Sequence, residues 1–396
     1  MLFVKESKWV TIALAVVLTA GLAFVPASCS KKGGEAAWKA DIVTVDGVRT
    51  VRNPETPRNG TFAFDLVEDL VIGDEKSEAY FFPGWVTISV DDEGLIYACD
   101  SGNRRVQVYD KTGVFVKTLG RQGQGPGEYA FPSSVHIDDA GNIYVRSSRS
   151  LVVFGPDGLF IKNVPLKTFL SALTLGPGGM IVGTTQPNPR TEGGPKNEFV
   201  QLGPDGEIQR TIARFPAYGV SKDQMLQHWY TGGISFCPRS KDSLYYGFSL
   251  EYEIDVVDGE GRSLLVFSKA EKAQGITGEE RDLTREKGIY AWSGMGDPKT
   301  ADLGMPDHRP FFRNFASDDM GRLYVVRFRP ITEKAIATRD VDVFSKDGTY
   351  LYQMTWPFIP QVIKGGFLYE VRQDEDQGLT RIIRHRIKNW GDFKAE

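Results

Sequence analysis

The chain has 396 residues, 41% apolar and 12% aromatic, enough for a sizeable buried core. Its net charge of −4 gives no general attraction to nucleic acid or to anionic membrane surfaces, which excludes a nucleic-acid-binding role. Its 43 glycines and 21 prolines fall between apolar runs, which fits turn-rich β structure rather than disorder.

In chain order, Lys5 and Lys8 precede an apolar run from Trp9 to Val25, and Pro26-Ala27-Ser28-Cys29 follows. A positive start, an apolar centre and small residues before a cut site describe a secretory signal over residues 1–28. A Cys directly after Ala-Ser resembles the lipobox of bacterial lipoproteins, with Pro26 where that motif carries an aliphatic residue. The resemblance implies that Cys29 is the lipidated first residue of the mature chain. The other reading of the run is an uncleaved membrane anchor. Either one places the remainder outside the cytoplasm, in the cell envelope and held to a membrane. Residues 29–59 then read as a polar tether.

Beyond the tether, hairpins recur. Val86 to Ala98 turns at Asp91-Asp92-Glu93-Gly94, and Val135 to Val145 turns at Asp138-Asp139-Ala140-Gly141. Further inner hairpins are Leu173–Gly183, Ile234–Phe248, Asn314–Val326 and Val362–Val371. Five of the six are followed by an outer hairpin: Val106–Leu119, Leu151–Val164, Phe199–Ile212, Ile254–Phe267 and Val341–Met354. Period-two apolar residues broken by Asp/Gly turns are a strong local hairpin signal. A single four-stranded unit cannot bury both its faces, so each needs neighbours of its own kind. After the sixth inner hairpin only Leu379–Ile387 is left, while Thr61–Ile72 stands unpaired at the other end. The expectation is an all-β, six-bladed β-propeller over residues 60–388, closed by an N-terminal strand that completes the last blade. Closure of this kind removes exposed sheet edges. Helical insertions are expected at 214–233 and 268–313, where Ser221-Lys222-Asp223-Gln224 and Thr277-Gly278-Glu279-Glu280 read as capping boxes. Residues 389–396 read as a tail. Cys99 and Cys237 lie in strand patterns of opposite blades and are expected to be buried, inert thiols.

Asn103, Arg104 and Val106-Gln107-Val108-Tyr109-Asp110, with the link from Gly120 to Pro132, resemble NHL repeats. The stretch from about Gly60 to Ile387 is similar to six-bladed propellers of bacterial envelopes, many of them lipoproteins of unassigned function. The resemblance implies that Arg104 braces its blade. Gly120, Gly123, Gly125 and Gly127 do not make a phosphate loop, because a strand and not a helix follows them. The alternative function is a metal-dependent lyase or hydrolase, like the amidating lyases or lactonases built on this fold. No Pro-His pair opens an inner strand here, as it does in the amidating lyases, and no Ser/His/Asp arrangement can be argued from spacing. No catalytic set, metal site or cofactor is therefore assigned.

Loop lengths are asymmetric. In strands A to D of each blade, A–B and C–D turns share one face, and these are short. The B–C loops and D–A links share the other face and include all the long segments. Function on rigid scaffolds concentrates in such loops. The candidate ligand-binding residues on this face are Arg146, Arg149, His228, Trp229, Trp292, His308, Arg309, Arg327, Arg329 and Arg372. A basic, aromatic mouth of this kind suits an anionic or carbohydrate-like ligand, or an acidic segment of an envelope protein. The bland reading is that these arginines brace loops. The expected function is a non-catalytic, envelope-anchored binding scaffold.

Overall fold

In the computed structural model, residues 38–73, 85–221, 223–294, 296–334, 336–374 and 378–394 are described. The signal segment and Cys29 lie outside these residues. Six blades of four antiparallel strands follow the predicted order, five of them as four-stranded sheets and blade 4 within a six-stranded one. Blade 1 consists of Val86–Val90, Ile96–Asp100, Arg105–Tyr109 and Phe115–Leu119. Blades 2 to 5 repeat the pattern over 132–165, 170–216, 234–269 and 312–356. Blade 6 takes Val362–Lys364, Phe367–Asp374 and Leu379–Ile387, then Leu66–Ile72 as its outer strand. Leu66 stands opposite Ile387 and Ile72 opposite Ile382. The ring is thus closed by the early strand, as expected. Asp69 on that strand takes Arg384 at 2.9 Å, so the basic C-terminal strand is matched by its partner.

The turn chemistry explains why these segments form hairpins. In three inner turns the first Asp caps the turn. One carboxylate oxygen accepts the backbone N–H of Leu95 (2.8 Å), Asn142 (2.8 Å) or Arg322 (3.0 Å). The other accepts the hydroxyl of Tyr97, Tyr144 or Tyr324, six residues beyond Asp91, Asp138 and Asp318. Gly94, Gly141 and Gly321 then sit at φ of +86°, +78° and +77°, where a Cβ would be strained.

The core is distributed between blades. The buried apolar clusters of the described residues each join two neighbours, from blades 1 and 2 around to blades 6 and 1. Cys99 and Cys237 lie in two of them as free thiols, and burial pushes both up to about 12.

Three expectations are corrected. Residues 41–53, assigned to the tether, form a β-hairpin of Asp41–Val45 and Val48–Asn53. Its two-residue turn, Asp46-Gly47, has φ of +50° and +81°, an Asp-Gly signal that the sequence reading passed over. The second strand adds in parallel to the outer strand of blade 4, and Val51 is fully buried there. The chain then runs along blade 5, with Arg58 and Phe62 N–H groups donating to Tyr350 and Gln353 carbonyls, before entering blade 6. Residues 41–72 are therefore a belt over the rims of blades 4 to 6. The second correction is at 214–233, which contains no helix among its described residues. Gln224–His228 is a strand paired with Ile289–Gly294. Leu226 and His228 are buried and Gln227 exposed, so a period of two won over the capping-box pattern once a partner strand was present. The capping box at Thr277 is real and starts α1, Gly278–Lys287, with both reciprocal bonds formed. The third correction concerns Arg104, which is exposed at φ +52°; the brace is Arg105, whose Nε lies 3.1 Å from Asp100.

Candidate binding site at the long-loop mouth

Each inner strand runs from the long-loop face to the short-turn face, so the axis of the ring has two mouths. The short-turn mouth holds the larger cavity, about 1170 Å³, walled by the inner turns. Five of the eight carboxylates in its described lining are already engaged. Asp91, Asp138 and Asp318 cap their own turns. Asp319 accepts the Gly365 N–H at 3.1 Å, and the Lys364 ammonium, 2.8 Å from Asp92, holds that carboxyl below its usual range. These second aspartates staple neighbouring blades. Among the described residues no group of three His, Cys, Asp or Glu is placed to hold a metal.

The long-loop face carries the more informative site. A cavity of about 270 Å³ opens between the inner strands of blades 3, 4 and 5 and the two insertions. Its wall offers the hydroxyls of Ser171, Thr184, Thr231, Tyr218 and Tyr290, the amides of Asn197 and Gln227, and one guanidinium, Arg313; among the described residues no carboxylate lines it. Arg313 lies over the rings of Trp229 (4.5 Å) and Phe328 (5.3 Å) and donates through Nη2 to the Trp229 carbonyl at 2.9 Å. Arg313 is exposed to solvent at the cavity, and the protein atoms crowded around it hold its guanidinium below the usual arginine range. The Arg339 guanidinium is lowered too, first by burial and then by Arg329 and Arg313. Lys334 Nζ stands 5.2 Å from the Trp229 ring. Arg313 is the one cation in the described lining, and Arg339, which it depresses, stands near it, so a bound anion would relieve their repulsion.

Of the predicted residues, His228 lines this cavity and Trp229 supports it. His228 is 2% exposed; its Nε2–H donates to the Leu303 carbonyl (3.0 Å) and its Nδ1 accepts the Tyr230 N–H (3.1 Å). Burial pushes its pKa down to about 4. The others are held elsewhere. Arg146 bonds the Leu170 carbonyl of blade 3, and Arg327 bonds Glu271. Arg329 bonds the Ile336 carbonyl, while its own carbonyl takes the Trp229 indole N–H at 2.7 Å. Arg309 pairs with Glu280 at 2.9 Å, and Arg372 with Glu370 at 2.7 Å. His308 Nδ1 donates to the Arg309 carbonyl (2.9 Å), and Trp292 is half-buried opposite Leu226. Arg149 is exposed at the blade 2 B–C turn. Bracing therefore describes Arg146, Arg309, Arg327, Arg329 and Arg372. Arg313 was missed because it sits beside Phe312 at a strand start; its signal is a cation in an inner strand, the one strand that faces the axis.

The solved structures that resemble the chain are propellers. One, described as an exported protein of Bacteroides fragilis, aligns at 12% identity over 85% of this chain and all of that one, with a TM-score of 0.54. A member of the DUF4221 family from Bacteroides vulgatus aligns at 13% identity over 82% of this chain and 98% of that one (TM-score 0.48). Virginiamycin B lyase from Staphylococcus aureus aligns at 13% identity over 82% and 89% (TM-score 0.38). At these identities the likeness is one of fold. No curated protein matches the chain. Residues 85–178 match the family DUF5128, described as a 6-bladed β-propeller, and a six-bladed β-propeller is what the described residues form.

Proposed function

We propose that this chain is an exported, envelope-anchored binding protein that performs no catalysis and holds an anionic ligand at the long-loop mouth. The single observation that carries the reading is the Arg313 cavity, where one guanidinium meets hydroxyls, amides and tyrosine rings with no carboxylate among the described residues of the wall. A guanidinium–carboxylate pair forms charge-assisted, bidentate hydrogen bonds, and the planar fork fixes its geometry. Export and anchoring rest on the Lys5/Lys8 start, the apolar run to Val25 and Cys29. The B. fragilis protein of the same fold is itself described as exported.

The test is calorimetric titration of residues 38–396 with glucuronate, glucose and a metal-free blank. Glucuronate is expected to bind and glucose to bind at least tenfold more weakly. Arg313→Ala is expected to cost about 10- to 100-fold, the worth of a charged hydrogen bond. Equal binding of the two sugars, or an unaffected Arg313→Ala, refutes the assignment. Labelling of the full chain with radioactive palmitate, abolished by Cys29→Ser, tests the anchor.

A further inference from the structure

The long-loop mouth has a second feature, on the half of the ring that carries no insertion. Trp85, Phe131 and Phe169 are 79%, 50% and 54% exposed. Each is the residue immediately before an inner strand: Val86 of blade 1, Pro132 of blade 2 and Leu170 of blade 3. The three occupy one structural position in three successive blades. At the same position blade 4 has Gly233, blade 5 has Phe311 packed on Tyr252 (5.7 Å), and blade 6 has Gln361 bonded to the blade 1 backbone. Single exposed apolar residues are ordinary on protein surfaces. Three large rings at equivalent sites around one opening form an arc instead.

The arc is rigidly spaced. Ser89 Oγ donates to the Val135 carbonyl (2.7 Å), joining blade 1 to blade 2, and Arg146 joins blade 2 to Leu170 of blade 3. It also leads into the anion cavity, because Ser171, two residues past Phe169, is part of that cavity's wall.

We propose that the ligand is a chain of acidic sugars, seated by one carboxylate or sulfate on Arg313 and laid over Phe169, Phe131 and Trp85. The assignment rests on the anion-binding reading above and names its substrate class. The flat C–H face of a pyranose ring stacks on an exposed aromatic face, which desolvates both. The cavity supplies hydroxyls and amides matched to sugar hydroxyls. An extended acidic peptide would instead pair its backbone with a sheet edge; this mouth presents side chains from strand starts.

The experiment titrates residues 38–396 with galacturonate, its trimer and its hexamer, with heparin-derived hexasaccharide, and with hexaglutamate. Affinity is expected to rise about 3- to 10-fold for each further ring stacked. The triple variant Trp85→Ala/Phe131→Ala/Phe169→Ala is expected to abolish that rise, keep the monomer affinity within about twofold, and melt like the wild type, since the rings are exposed. Arg313→Ala lowers binding of every length. Length-independent binding, a triple variant that keeps the rise, or tighter binding of hexaglutamate than of either hexasaccharide overturns the saccharide chain while leaving the Arg313 site standing. No binding of any of these anions, hexaglutamate included, overturns both.

Discussion

His228 makes the stability of this propeller depend on acid. The ring is neutral in the fold, with Nε2–H committed to the Leu303 carbonyl and Nδ1 accepting from Tyr230. A second proton has nowhere to go without breaking the Tyr230 bond, and burial lowers the pKa from 6.5 to about 4. A folded-state pKa below the unfolded one means that the unfolded chain binds the proton first. Stability is then fully present above about pH 6.5 and is lost as the pH falls through the window down to about 4. Linkage puts the loss from this one group at about 2 kcal/mol at pH 5 and about 3 kcal/mol at pH 4. The assay is urea unfolding of residues 38–396 at pH 7.5, 6 and 5, comparing wild type with His228→Asn. The Asn side chain keeps an acceptor near Tyr230 N–H but cannot titrate. The variant is expected to be less stable at pH 7.5, yet to lose about 2 kcal/mol less than wild type between pH 7.5 and pH 5. Parallel pH profiles for the two proteins refute the reasoning. Using the difference between them cancels His136, whose pKa is also lowered by burial.

The interface of blades 4 and 5 contains a buried charge network: Lys269 Nζ lies 2.8 Å from Asp342 and 2.9 Å from Glu271, and Tyr350 donates to Asp342 at 2.6 Å. Lys269→Met is expected to cost about 3–5 kcal/mol in urea unfolding, because it strands a buried carboxylate, and adding Asp342→Asn is expected to recover part of that. A chain lacking residues 1–55 loses the rim hairpin, with buried Val51 and the bonds of Asn53 to Ser268, Gly348 and Tyr350, and is expected to melt lower by about 2–4 kcal/mol while staying cooperative. Removing residues 1–73 also bares the edge of Leu379–Ile387 and is expected to give aggregates by size-exclusion chromatography; a stable monomer there contradicts the closure.

The sequence by itself determined what depends on neighbours a few residues apart. The Asp-Gly turns, the period-two strands, the α1 capping box and the count of six blades all follow from contacts inside one hairpin or one turn of helix. The ring closure was also legible, because an unpaired strand at each end leaves only one arrangement without exposed edges. The hairpin at 41–53 was legible in principle, since Ile42, Val43, Val45, Val48 and Val51 flank the Asp46-Gly47 turn. What only the tertiary structure decided is which charged side chains are spent on bracing and which face the mouth. Arg146, Arg309 and Arg327 find their partners 24, 29 and 56 residues away, across blades or insertions, and no local pattern announces those pairs. Arg313 and the arc of Trp85, Phe131 and Phe169 become a site for the same reason. Residues far apart in the chain are brought to one opening only when six sheets close around an axis, because closure sets every inner-strand start at the same height.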